Sequence, residues 1–160
     1  MGRERNLDAY TVAVTLLARR ELSSRQLRDR LLRRRFDPAE VDLVVERLSR
    51  DGTLDDRRVA LASARLGAQV KRRGRRRVLQ QIQQLGIHAD TARAAVDEVF
   101  GALDESALLQ AALERRLKGA HPRELDRKAV ARIVRSLVGQ GFDAHAVYEQ
   151  LRTGGTEVDE

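Results

Sequence analysis

The sequence repeats at an interval of about 50 residues, and this repetition restricts the fold more than any other feature. A shift of 51 residues places the apolar positions around Phe36 on those around Ile87, and a further shift of 55 places them on those around Phe142. Gln150 is the one residue that breaks the apolar pattern. A near-constant period that keeps the apolar register predicts tandem copies of one helical unit.

Each unit is predicted to contain three helices. In the first two units the third helix carries apolar residues at i, i+3, i+4 and i+7, which is one face of an α-helix. We expect the first helices at residues 7–18, 56–72 and 105–117. A unit of this size buries little apolar surface alone, so stacking against neighbouring units should supply much of its stability.

Helix ends are marked by capping residues. Asp37, Pro38 and Glu40 have the pattern of an N-cap, a first-turn proline and a capping box, and Ser23 with Gln26 forms a second possible capping box. Glycines are expected in the left-handed conformation just after the second helices of the later units, at Gly86 and Gly141.

These patterns predict an all-α fold of three tandem three-helix (trihelical) repeats in an elongated, curved array. The expected organisation is an N-terminal tail at residues 1–6, trihelical repeats at 7–52, 53–102 and 103–152, and an acidic disordered tail at 153–160.

Composition favours a cytoplasmic protein that is not an enzyme. Cysteine is absent, which fits a reducing compartment, and no apolar run has the length of a membrane span. The adjacent Asp55 and Asp56 are better explained as cap and dipole partners at a helix start than as catalytic carboxylates. His88, His121 and His145 lack metal-ligand spacing. We therefore expect no catalytic residue, no metal and no cofactor.

Several segments resemble the RecX family, in matching order and spacing over about residues 7–152. The similar segments are Leu16 to Leu27, Leu54-Asp55-Asp56-Arg57-Arg58-Val59-Ala60, Gly74 to Val78 with Leu85-Gly86-Ile87, and Gly141-Phe142 with Val147 and Leu151. Val59 stands where the family usually has an aromatic residue, and the third unit lacks the usual aromatic enrichment.

The resemblance implies a partner and an activity that composition and periodicity do not show. RecX proteins bind the filament that the RecA recombinase forms on DNA. They inhibit or modulate its strand exchange, ATP hydrolysis and coprotease activity in DNA repair, recombination and the SOS response. The resemblance thus implies a monomeric regulator of the RecA nucleoprotein filament, with direct contacts to single- or double-stranded DNA as a further option.

Basic residues are concentrated where first helices are predicted to end. The net charge is +7, which favours a polyanionic partner. The candidate partner-binding or nucleic-acid-binding residues are Lys71, Arg72, Arg73, Arg75, Arg76 and Arg77, together with Arg19, Arg20, Arg115 and Arg116. Compensation of the helix dipole is the competing explanation, and it accounts for one or two bases per helix but not for six at one turn. If the units stack regularly, these helix ends form a basic stripe along one edge.

Two alternatives remain open. The acidic third helices, with Glu40 and Glu46 among their residues, are either a solvated face or the second side of a two-sided binding protein. A helix-turn-helix-like protein acting directly on duplex DNA is the alternative function, and the glutamines between positions 80 and 84 are the segment that resembles a recognition helix.

Overall fold

The computed structural model describes residues 8–154, and this part of the chain contains helices and no strand. The helices are α1 (Ala9–Arg19), α2 (Ser24–Arg33), α3 (Pro38–Arg50), α4 (Asp56–Arg65), α5 (Arg75–Gln84), α6 (Ala89–Gly101), α7 (Glu105–Leu117), α8 (Arg127–Gly139) and α9 (Ala144–Thr153). Short π and 3-10 turns span Leu66–Val70 and Pro122–Glu124. The predicted N-terminal tail and residues 155–160 of the predicted C-terminal tail lie outside the described residues.

Buried apolar side chains form three clusters, each supplied mainly by three consecutive helices. We call α1–α3 unit one, α4–α6 unit two and α7–α9 unit three. Leu31, Ile82 and Leu137 occupy equivalent positions under the 51- and 55-residue shifts, and all three are fully buried. Burial of one such side chain contributes about 1.5–3 kcal/mol. Three cores in a row confirm the predicted all-α repeat array, whereas the predicted repeat boundaries stay a prediction.

Most of the helix caps predicted from the sequence are present in the structure. Ser23 and Gln26 form the predicted capping box, and the Asp37 side chain accepts hydrogen bonds from the first turn of α3. The predicted role of Glu40 is wrong. Its carboxylate accepts a hydrogen bond from the backbone N–H of Ala9, at 3.2 Å, and so ties α3 to the start of α1.

The first helix of unit two ends earlier than predicted. α4 stops at Arg65 and continues as the π turn, in which the N–H of Lys71 donates to the carbonyl of Leu66. The wide turn lies against α5, where a Cβ on Gly67 would come within 2.8 Å of the Val78 side chain. Arg72 follows in the left-handed conformation, which an α-helix cannot include. In unit one, α1 begins at Ala9 with Asp8 as its N-cap, and Leu7 lies outside the described residues.

Consecutive units meet at a repeated joint. The start of the second helix in one unit contacts the turn after the second helix of the next unit. At joint one, between units one and two, the Ser23 hydroxyl donates to the carbonyl of Leu85. At joint two, between units two and three, the N–H of Gly74 donates to the carbonyl of Gln140 at 2.9 Å. The two pairs are related by the sequence shifts, so the period of the sequence is also the period of the unit contacts.

Candidate functional site

A cleft of about 750 Å³ lies in unit three, between α7 and α8, and reaches the turn before α5. Its floor is partly apolar, with Ala112 of α7 and Ile133 of α8 among the lining residues. Six exposed bases line it, and no acidic side chain is among the described residues that do so. We call this site the basic cleft, and its bases are Lys71, Arg72, Arg115, Arg116, Lys118 and Arg132.

The bases of the cleft carry positive charges that the described residues leave unpaired. Within residues 8–154, none of the six takes part in a salt bridge. Their mutual repulsion is therefore not offset by a salt bridge in the described part of the chain. A site that collects like charges on a concave wall raises the local concentration of ions of the opposite sign. The arrangement is suited to a polyanion.

The backbone at the rim of the cleft also departs from the usual pattern. Arg72 and Lys118 have φ values of 49° and 52°, a left-handed conformation in which glycine is the usual residue. For other residues this conformation costs roughly 1–2 kcal/mol. Arg72 follows the π turn and Lys118 caps α7, so two helix ends point their bases toward one space. Strained non-glycine residues of this kind are concentrated at functional sites.

The structure brings together four of the predicted site residues, Lys71 and Arg72 with Arg115 and Arg116. Lys118 and Arg132 were not among the predicted site residues, although Lys118 belongs with Arg115 and Arg116 to the basic end of the first helix of unit three. A signal for Arg132 was present in the sequence, because Lys128, Arg132 and Arg135 follow each other at spacings of four and three. That spacing places three exposed bases on one face of α8. Arg132 lies in the middle of its helix, so helix-dipole compensation does not explain it.

The rest of the segment 71–77 does not line the basic cleft. Arg75 is ion-paired, because the fold brings to it acids that are distant along the chain. Its guanidinium donates to Asp97 and, at 2.8 Å, to Glu105. The hydrogen bond to Glu105 and the nearby carboxylates raise the pKa of Arg75 above its ordinary value. Arg76 lies 3.8 Å from Asp143, and Arg77 donates to Gln80.

Arg73 is half-buried, and its Nη1 atom is enclosed without a hydrogen-bond partner. Of the segment 71–77, Lys71 and Arg72 are thus the residues whose charge faces the cleft without a partner.

Arg19 and Arg20 lie in unit one and do not line the basic cleft. Desolvation, followed by the positive charges of Arg20, Arg33 and Arg34, lowers the pKa of Arg30 below its ordinary value. Unit one therefore has a basic group of its own, formed where α1 and α2 end.

The remaining candidate features have structural partners. His88 and His121 accept hydrogen bonds from the backbone N–H groups of Asp90 and Arg123, as helix-capping residues do. Asp55 caps α4, and Asp56 accepts a hydrogen bond from the N–H of Ser24. Within residues 8–154, no three His, Asp or Glu side chains come together as a metal site. The glutamines of α5 are exposed at positions 80, 83 and 84.

No helix among residues 8–154 combines the length and the hydrophobicity that crossing a bilayer requires. The described part of the chain is thus an all-α tandem array of three-helix units with a basic cleft in its third unit.

Comparison with known proteins identifies the family. The family described as "RecX, first three-helix domain" matches residues 9–48. A "Regulatory protein RecX" from Halorhodospira halophila is 35% identical over 151 residues, which cover 92% of this chain and 86% of that protein. A "Regulatory protein RecX" from Treponema pallidum is 38% identical over 122 residues, which cover 75% of this chain and 74% of that protein. The chain belongs to the RecX family.

Solved structures agree on the fold. The crystal structure of RecX from Lactobacillus salivarius superposes with a TM-score of 0.77 over 94% of this chain and 96% of that one. The sequence identity of that pair is 14%, so the likeness concerns the fold. The relatives are named as regulatory proteins.

Proposed function

We propose that this protein binds the filament of a RecA recombinase on DNA and restrains its recombinase, ATPase and coprotease activities. The observation that carries the proposal is the basic cleft, with six exposed bases and no salt bridge to any of them within residues 8–154. Membership of a family of regulatory proteins supports the same function. The partner group in the cleft would be anionic, either DNA phosphate or an acidic surface of the recombinase.

The backbone conformation supports a binding role for the cleft over a purely structural one. A base can neutralise a helix dipole from an ordinary helical position. At positions 72 and 118, where the backbone is left-handed, glycine would cost less than any other residue. Arg72 and Lys118 nevertheless occupy these positions, and they are two of the three left-handed non-glycine residues within residues 8–154; the third, Arg35, lies in unit one. The cost to folding is offset if the charges at the rim contact a partner.

ATP hydrolysis by RecA on single-stranded DNA is the test. The protein is added at a substoichiometric ratio to RecA, and we expect the rate of hydrolysis to fall. The cleft variant Arg115→Gln/Arg116→Gln/Arg132→Gln should inhibit less at every concentration. Its matched control is Arg50→Gln/Arg57→Gln/Arg93→Gln, which removes the same charge from three bases that are ion-paired outside the cleft. The control should inhibit as the unchanged protein does.

Two results would contradict the proposal. An unchanged rate of ATP hydrolysis, with tight binding to one duplex sequence instead, would favour the helix-turn-helix-like function. Equal inhibition by the cleft variant and its control would remove the cleft from the interface. If the cleft contacts phosphate, each lost contact lowers the slope of log affinity against log salt by about 0.9 on duplex and 0.7 on single strands.

A further inference from the structure

The C-terminal end of α9 lies beside the basic cleft. Gly154, which follows α9, is so placed that a Cβ built on it would lie 3.8 Å from the Pro122 side chain. Pro122 opens the short 3-10 turn, and its carbonyl accepts a hydrogen bond from the N–H of Leu125. Leu125 lines the cleft. The chain therefore leaves α9 within about one turn of the cleft wall.

The sequence that follows Gly154 is complementary in charge to the cleft. Residues 155–160 contain Glu157, Asp159 and Glu160 and no base. Six extended residues span at most about 20 Å, whereas the 3-10 turn from Pro122 to Leu125 rises only about 6 Å, so the segment is long enough to reach the lining of the cleft. Val158 lies between two of the acids, and the floor of the cleft is partly apolar. We call residues 155–160 the acidic segment.

We propose that the acidic segment binds in the basic cleft of the same molecule and competes there with polyanionic partners. The proposal rests on the proposed function, because both take the basic cleft as the site that binds the partner. A segment tethered next to its site acts at an effective concentration on the order of millimolar. Weak electrostatic attraction is then sufficient to occupy the site, and salt weakens that attraction. A strong polyanion displaces the segment, so the cleft selects partners that carry many closely spaced charges.

Nuclear magnetic resonance tests the intramolecular contact without DNA or RecA. We expect the backbone amide resonances of Glu157, Asp159 and Glu160 to shift as salt is raised in the unchanged protein. They should already have the high-salt positions in the cleft variant Arg115→Gln/Arg116→Gln/Arg132→Gln. The control Arg50→Gln/Arg57→Gln/Arg93→Gln should behave as the unchanged protein does.

Two outcomes of that experiment overturn the proposal. Identical resonances in the cleft variant and in the unchanged protein at low salt would mean that the segment does not contact the cleft. Shifts that depend on protein concentration would assign the contact to the cleft of a second copy.

Competition is tested with a fluorescent oligothymidylate as the polyanion. We expect Glu157→Gln/Asp159→Asn/Glu160→Gln to bind it about threefold to tenfold more tightly at low salt, since the tethered competitor is removed. The matched control Glu46→Gln/Asp90→Asn/Glu98→Gln changes the net charge equally at three exposed acids of units one and two. Equal affinities of the two variants would overturn the competition.

The two proposals fail in different ways. If the resonances show the contact and RecA hydrolysis is unaffected by the protein, the proposed function fails while the intramolecular contact stands. If RecA is inhibited through the cleft and the resonances are insensitive to the cleft variant, the proposed function stands and the contact fails.

Discussion

Joint one and joint two use equivalent positions of the repeat but different chemical groups. Joint one depends on side chains, since the Ser23 hydroxyl donates to Leu85 and the Asp56 carboxylate accepts from the N–H of Ser24. At joint two the N–H of Gly74 makes the equivalent bond. The position after it is Arg75, which is paired with Glu105 at the start of α7, as Ser24 is paired with Asp56 at the start of α4. The repeat thus preserves where the contacts are made and leaves their chemistry free to vary.

The two joints also differ in the contacts of the glycine in the turn after the second helix. Gly86 and Gly141 both have positive φ, as the repeat predicts. A Cβ on Gly86 would meet the Arg25 side chain, with the Cδ atom at 2.1 Å and the Cβ atom at 2.7 Å. A Cβ on Gly141 would meet the backbone nitrogen of Arg77 at 2.3 Å. Joint two is therefore a backbone-to-backbone contact with less capacity to adjust than joint one.

The largest expected effect is at joint two. Gly141→Ala should lower the free energy of unfolding by about 2–4 kcal/mol, because the left-handed conformation is strained and the new Cβ pushes the two units apart. Gly86→Ala should cost less, about 1.5–2.5 kcal/mol, because the Arg25 Cγ and Cδ atoms can move aside, although its Cβ atom at 2.7 Å is fixed to the backbone. Urea unfolding followed by circular dichroism measures both. Equal losses would show that the joints are equally rigid and break the comparison.

Gly139→Ala is the control for the substitution itself. Gly139 is the last residue of α8, and nothing lies within 4 Å of a Cβ built there. Replacing it should raise stability by about 0.5–1 kcal/mol, because alanine restricts the unfolded chain and favours the helix. A loss at this position as large as that at Gly141 would indicate a general intolerance of the region.

An intermediate effect on the free energy of unfolding is expected at Ser23, the hydrogen-bond donor of joint one. Ser23 is fully buried, and its hydroxyl both caps α2 and donates to Leu85. Ser23→Ala should lower the free energy of unfolding by about 1–2 kcal/mol through the loss of these bonds. Ser49→Ala, at an exposed position of α3, is the control and should stay within about 0.5 kcal/mol. If both variants unfold alike, joint one does not depend on the serine.

The smallest effect on stability concerns the ion pairs of Arg75, of which the one with Glu105 crosses joint two. Arg75→Met keeps the packing of the alkyl chain but removes the bonds to Asp97 and Glu105. Because the Arg75 side chain is 39% exposed, solvent screens these pairs, and the loss should be about 0.5–1 kcal/mol at low salt. The loss should shrink as salt rises. Thermal unfolding at two salt concentrations checks this, with Arg76→Met as a control close to zero.

The sequence predicted the features of the fold that depend on near neighbours along the chain. The capping box of Ser23 and Gln26 and the left-handed Gly86 and Gly141 each follow from residues within one turn. The capping role expected of Glu40 was wrong because its partner, Ala9, is 31 residues away and becomes available only when α1 packs on α3. The π turn after α4 was missed for a related reason. It packs Gly67 against α5, a helix that follows it in the sequence, and this contact exists only in the folded protein.

The same distinction applies to the candidate site. Bases at the ends of helices could be identified from their positions, and the structure brings Lys71 and Arg72 together with Arg115 and Arg116. Whether a base is free or paired could not be identified, because the partners of Arg75 lie 22 and 30 residues along the chain. Arg132 was missed for the same reason, because the spacing of Lys128, Arg132 and Arg135 shows that these bases share a face of α8 but not which other helix ends that face meets.

Arg35 occupies in unit one the position that Gly86 and Gly141 occupy in the later units, and it has the same left-handed conformation with a φ of 65°. A side chain at this position would collide with any unit docked in front of it in the manner of joints one and two. Repeat engineering that sought to lengthen the array at this end would have to replace Arg35 with glycine before grafting a further unit. Arg35 thus opposes the docking of a further unit in front of unit one in the manner of joints one and two.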